Sequence, residues 1–260
     1  MTNNLNDFSL DFFSLDGKVA IVTGGNKGLG QAYAVALAKA GADLFVVTHG
    51  TEWDETRELI ENTGQKVEFF QADLTDRKKA KELVAKCVEV YGKVDILINN
   101  AGTIRRAPLL EYTEEDWDAV VELNQNSLFF LSQEAAKVMA EQKSGKIVNI
   151  ASMLSFQGGK FVPPYTVSKH GVVGLTKSFA NELAEHGIQV NAIAPGYVKT
   201  ANTAPIREDE KRNAEILARI PAARWADPAD LMGIVVFLSS KASDYMNGSV
   251  VAIDGGWLSR

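Results

Sequence analysis

The chain has 260 residues, 46% of them hydrophobic and 23% charged, values that suit one globular α/β unit with a substantial core. Its formal charge of -6 argues against nucleic acid or an anionic membrane surface as a partner. Cys87 is the single cysteine, so no disulfide forms within the chain; among Leu83, Val84 and Val88 it reads as a buried thiol.

The opening stretch, MTNNLNDFSLDFFSLDGK, carries acids and no basic region before its short apolar runs, which is unlike a secretory signal. No later run has the length to span a bilayer, and a cytoplasmic location is expected. Residues 1–17, with their doubled FSLD, are predicted to form a packing arm. Beyond them, apolar runs predict strands at 19–23, 44–47, 67–70, 96–99, 146–150, 189–194 and 250–253. Between the strands, helical spacing joins Leu29, Tyr33, Ala36, Leu37 and Ala40, and again Ala80, Leu83, Val84, Cys87 and Val88. Right-handed crossovers then give a single-domain, Rossmann-type, doubly wound parallel sheet of seven strands over residues 1–260, with helices on both faces. The least regular part, 195–226, is too long for a plain connection and is expected to be a substrate lid.

The first predicted strand runs into Thr23, Gly24, Gly25, Asn26, Lys27, Gly28, Leu29 and Gly30 and then directly into a helix. Gly24 suits a tight turn, Gly28 a close approach of backbone to a pyrophosphate, and Gly30 tight packing of helix on strand. The second strand ends at Thr48 and His49, where an acid would favour NAD and a base NADP. Neither residue decides, and Lys27 is a phosphate contact or a solvated charge; a slight preference for NAD over NADP is implied only by resemblance to known dinucleotide enzymes.

Ser152, Tyr165 and Lys169 form the second constellation. If the segment after Pro164 is helical, Tyr165 and Lys169 share a face. An ammonium about 4 Å from a phenol, at an effective dielectric near 20, is worth roughly 4 kcal/mol, on the order of three pKa units. The expectation is a Tyr165 able to exchange a proton near neutral pH. His49, His170 and His186 are scattered away from cysteine or carboxylate clusters, so no metal is assigned, and His170 reads as helix surface.

With its TGxxxGxG turn and this triplet, the chain resembles the short-chain dehydrogenase/reductase family over nearly its whole length. Asn99, Asn100, Ala101 and Gly102 match the family's NNAG turn, and Asn124 in LNQNSLFF matches its fourth catalytic member. The resemblance implies an NAD(P)-dependent oxidoreductase acting on CH–OH groups. Ser152 would then stabilise charge on the substrate oxygen, Tyr165 move its proton, Lys169 lower the Tyr165 pKa and hold the nicotinamide ribose, and Asn124 link Lys169 to solvent. It also implies cofactor contacts from Asp73 at the adenine and from Pro195, Gly196 and Thr200 at the nicotinamide. Asn26, Leu29, Leu74 and Val198 complete the candidate cofactor set, to which Tyr165 and Lys169 also belong.

The strings NIASMLSFQGG, IRR and AEILARIPAARW are similar to those of family members that oxidise sugar acids of the gluconate and deoxygluconate type. A small-molecule sugar-acid substrate carries a carboxylate, for which Arg105 and Arg106 are candidate anchors. Met153, Leu154 and Gln157 would form a wall, with Asn202, Arg219 and Trp225 coming from the lid. Alternatives are another carbonyl reductase of the family or, from a different class, a dinucleotide-sensing protein without turnover. The resemblance further implies a homotetramer.

Overall fold

The computed structural model describes residues 8–260. Seven strands form one sheet in the order β3-β2-β1-β4-β5-β6-β7, every neighbouring pair parallel. They are β1 (Val19–Thr23), β2 (Asp43–Thr48), β3 (Val67–Gln71), β4 (Ile96–Asn99), β5 (Gly145–Ile150), β6 (Ile188–Pro195) and β7 (Val250–Ile253). Each predicted strand is present, with shifts of one residue at some ends. The central strands are uninterrupted apolar runs because both faces are covered: β1 and β4 are buried throughout.

Helices α1 (Gly28–Lys39), α2 (Asp54–Glu61) and α3 (Lys78–Tyr91) follow the first three strands. After β4 come α4 (Glu114–Val121) and α5 (Ser127–Gln142), joined by a π-helical turn at Glu122–Asn126. The 21-residue α6 (Pro163–Leu183) begins on two prolines, which suit a first helical turn because their missing N–H groups would have no partner there. One core layer packs Tyr33, Leu37 and Val235 against Ala20, Val22 and Ile98; the other packs Leu83, Leu131 and Met139 against Ile21, Phe45 and Leu97. Cys87 is fully buried in the second layer, and burial pushes its thiol up to about 12.

Of the expected N-terminal arm, residues 1–7 lie outside the described residues. The rest packs on the body: Leu15 is buried and its N–H donates to the Ala40 carbonyl at 2.7 Å, while Phe13 lies 6.3 Å from Phe237. The 195–226 stretch is more regular than its sequence suggests. It contains α7 (Ala204–Glu208) and α8 (Glu210–Arg219), the latter capped by Asp209, whose carboxylate accepts from the Arg212 N–H at 3.0 Å. Its ends are tied by a parallel bridge between Val198 and Ala226, with bonds of 2.9 Å from Lys199 N–H to the Ala226 carbonyl and from Ala226 N–H to the Tyr197 carbonyl. Helix α9 (Met232–Ser239) then returns the chain to β7.

Candidate active site

The strand order reverses between β1 and β4, and a cleft of about 840 Å³ opens along the carboxyl ends of the strands at this switch point. At its cofactor end, Gly24 and Gly28 hold left-handed φ values of +62° and +57°, open to glycine with little strain. A Cβ on Gly30 would stand 2.0 Å from the Gly24 carbonyl oxygen and 2.5 Å from Asn100 Nδ2, so the helix can seat on the turn only with glycine there. Asn100 Nδ2 donates to the Thr23 and Gly24 carbonyls at 2.9 and 3.2 Å, and Thr23 Oγ1 accepts from the Asn100 and Ala101 N–H groups. The two turns thus brace each other.

Helix α1 starts at Gly28 without any side-chain cap, leaving its first N–H groups facing the cleft, and a Cβ on Gly28 would project toward Thr200 across it. This cradle fits a dinucleotide pyrophosphate. Asn26, Lys27 and Leu29 line the same end, with Thr48, His49, Asp73 and Leu74 beyond them. Thr75 donates to Asp73 from both N–H and hydroxyl, at 2.9 and 2.7 Å, and holds its carboxyl below the usual range. Ala101, Gly102, Pro195, Gly196 and Val198 also line the cleft, as the expected nicotinamide contacts would have to. Glu52, absent from the sequence-derived set, lines the cleft along with Thr48 and His49; it stands four residues past the end of β2, beyond the position where sequence rules look for an acid.

Ser152 follows β5 and caps a short 3₁₀ turn, its Oγ accepting from the Leu154 N–H at 3.1 Å while Ser155 Oγ donates to the Lys169 carbonyl at 2.7 Å. These bonds fasten the serine loop to α6, which presents Tyr165 and Lys169 one turn apart. The Lys169 ammonium lies 5.6 Å from the Tyr165 ring centroid and donates to the Ile150 carbonyl at 2.5 Å. The two side chains therefore share a helix face as their spacing predicts, but the expected lowering of Tyr165 is not found. Burial holds the Tyr165 hydroxyl above its ordinary value, opposed by the Ser152 hydrogen bond and the Arg106 charge, and burial pushes Lys169 down to about 8. Desolvation dominates at both groups, and the ammonium is engaged by a backbone carbonyl, so the charge that lowers Tyr165 is that of Arg106.

Asn124 is buried in the π-helical turn and off the cleft wall. Its Oδ1 accepts from the Thr103 N–H at 2.7 Å, and its Nδ2 donates to the Thr103 carbonyl at 2.9 Å and to Ser168 Oγ at 3.2 Å. It clamps the strand-β4 loop to the tyrosine helix.

On the substrate side, Met153, Leu154, Gln157, Asn202, Arg106 and Arg219 line the cleft. Two expected members do not. Arg105 turns outward to Thr103 Oγ1 at 3.3 Å and Asp116 at 3.5 Å, because adjacent residues in an extended segment point to opposite sides. Trp225 is 5% exposed and sits behind the wall, its indole N–H donating to Asn213 Oδ1 at 2.7 Å. Lys160, Tyr197, Arg212 and Trp257 line the cleft without having been singled out from sequence. Tyr197 adjoined a recognised segment, whereas nothing local marks Trp257, which is brought in by the C-terminal turn after β7.

The short chain dehydrogenase family pattern matches residues 18–211. The chain is 54% identical, over 96% of its length and 98% of the relative's, to 2-dehydro-3-deoxy-D-gluconate 5-dehydrogenase of Bacillus subtilis strain 168. A crystal structure of a candidate 2-deoxy-D-gluconate 3-dehydrogenase from Agrobacterium tumefaciens with bound NADP is 50% identical, with a TM-score of 0.90 over 95% of this chain and 99% of that one. A gluconate 5-dehydrogenase from Burkholderia cenocepacia J2315, in complex with NADP and tartrate, is 33% identical with a TM-score of 0.93 over 97% and 100% of the two chains. Likeness of this extent, carried by the glycine turn, the NNAG turn and the Ser152, Tyr165 and Lys169 spacing alike, has one reading: the chain belongs to the short chain dehydrogenase family.

Proposed function

We propose that this protein is a sugar-acid dehydrogenase that interconverts a secondary alcohol and its ketone, with the reaction of 2-dehydro-3-deoxy-D-gluconate 5-dehydrogenase as the best-supported case. The observation that carries the reading is the joining, in one cleft, of an uncapped glycine cradle, the Ser152–Tyr165–Lys169 group and the cations Arg106 and Arg219. When bound, the nicotinamide ring takes up or returns the hydride. Ser152 donates a hydrogen bond to the substrate oxygen, and Tyr165 takes the hydroxyl proton in oxidation or returns it in reduction. Lys169 supplies positive charge beneath the phenol and holds the cofactor ribose. Asn124 keeps the Gly102–Thr103 backbone in place, and residues 195–226 act as the lid.

Glu52 supports NAD as the preferred form, since a carboxylate accepts from free ribose hydroxyls. NADP is the second reading, favoured by Lys27 at the cradle and by the NADP bound to the solved relatives. Gluconate 5-dehydrogenase activity is the second reading for substrate, favoured by the Burkholderia relative. The exposed Leu109 and Leu110 beside Trp117 support an apolar contact between copies, as in a homotetramer.

The test is reduced-nicotinamide absorbance with NAD and NADP against a panel of sugar acids and their keto forms. Turnover is expected with a deoxy keto acid, and Tyr165→Phe should lower kcat/KM by about 1,000-fold while cofactor Kd stays within about 2-fold. Cofactor binding without turnover of any carbonyl or alcohol would instead mark a dinucleotide sensor.

A further inference from the structure

Two arginines serve the two ends of the substrate side. Arg106 lines the cleft together with Tyr165, and its charge opposes the effect of burial on that phenol. Arg219 acts with Arg212 on Tyr197 instead, and is not among the charges felt by Tyr165. The two cations reach the cleft from different elements, Arg106 from the loop after β4 and Arg219 from the end of α8 beside Trp257 and Gln157, so a sugar acid meets them as two separate points of contact.

Arg219 is also held on two sides. Its guanidinium carbon lies 3.9 Å from the centroid of the Trp257 ring, and one Nη donates to Gln157 Oε1 at 3.4 Å. Trp257 is 4% exposed and meets Tyr197 edge-on at 4.9 Å; Tyr197 meets Trp225 at 5.2 Å, and Trp225 bonds back to Asn213 in α8, the helix that carries Arg219. The aromatic chain ties the Trp257 ring back to the helix that carries Arg219. Among the described residues no carboxylate lies within 4.0 Å of it. A guanidinium held over an indole face keeps N–H donors beyond the one given to Gln157, and that fork matches a carboxylate bidentately.

We propose that Arg219 anchors the substrate carboxylate at the end remote from the reacting carbon, and that Trp257 is the positioning residue that fixes the plane of its guanidinium. The proposal rests on the sugar-acid reading above. It assigns the last turn of the chain a share in specificity: acids whose carboxylate stands several bonds from the secondary alcohol are selected, and uncharged polyols gain nothing from the contact.

The experiment compares Arg219→Ala, Trp257→Leu and Trp257→Phe with wild type on a sugar acid and on its uncharged methyl ester, and measures D-gluconate binding to the cofactor-loaded proteins by calorimetry. Arg219→Ala is expected to raise KM for the acid, and Kd for gluconate, about 30-fold, with kcat within about 3-fold and the ester within about 2-fold. Trp257→Leu should reproduce that selective loss, while Trp257→Phe, which keeps an aromatic face, should retain most of the affinity. Gluconate binding unchanged in Arg219→Ala, or equal losses on acid and ester in Trp257→Leu, would overturn the proposal. Failure of the sugar-acid reading registers separately, as absence of turnover by wild type, and the calorimetric comparison still decides the anchor.

Discussion

Tyr165 and Lys169 are moved in opposite directions by the same cause, burial, which raises the phenol and lowers the ammonium to about 8. For Lys169 the folded value lies below the unfolded value of 10.5, so between those pH values the unfolded chain binds more protons and stability rises with pH. Below that window the fold carries a buried charge at a cost of about 3 kcal/mol. Lys169→Met removes that cost and loses about 1 kcal/mol by leaving the Ile150 carbonyl without its donor. The variant should be about 2 kcal/mol more stable than wild type in urea unfolding at neutral pH, with the advantage gone above pH ~10.5, and catalytically dead. A less stable variant at neutral pH would show that the ammonium contributes more through its carbonyl bond than burial takes away. At this scale, spacing revealed which residues meet, since one helical turn separates them. It did not reveal the sign of the pKa change, because desolvation depends on neighbours distant in sequence.

Gly30 shows how strictly one element constrains another. Its missing side chain lets α1 rest on the turn after β1, where a methyl group would stand 2.0 Å from a backbone oxygen. Gly30→Ala should therefore part the helix from the turn, weaken dinucleotide binding more than 10-fold and destabilise the fold by about 3 kcal/mol. Cofactor titration followed by intrinsic fluorescence, together with thermal unfolding, checks both. Strands and the glycine turn were legible because alternation of buried runs and turn chemistry are local signals. The π-helical turn at Glu122–Asn126 was not, since its purpose is to aim Asn124 at Thr103 and Ser168, contacts formed only in the folded chain. For the same reason Arg105, just after the NNAG turn, and Trp225, in the predicted lid, read as pocket residues from sequence, although one faces Asp116 and the other Asn213.

Across the whole molecule the charge of -6 conceals a local reversal. Six cations, Lys27, Arg106, Lys160, Lys169, Arg212 and Arg219, line the cleft against two carboxylates, Glu52 and Asp73. Such a cleft draws in anions over a surface that repels them, and salt screens the attraction. The KM for a sugar acid should rise about 5-fold between roughly 0.02 and 0.5 M salt, with kcat nearly constant and the KM of an uncharged ester flat. A salt-insensitive KM would mean that the cations act only in the bound complex.

The Val198–Ala226 bridge has one more consequence. Because the intervening stretch leaves and rejoins the body at adjacent points, it is attached much as a cassette is, and its sequence can diverge with β6 undisturbed so long as its packing on the turn after β7 is kept. The nucleotide cradle hangs on β1 to β3, at the other side of the switch point. Evolution can thus graft a new choice of metabolite onto an unchanged redox engine.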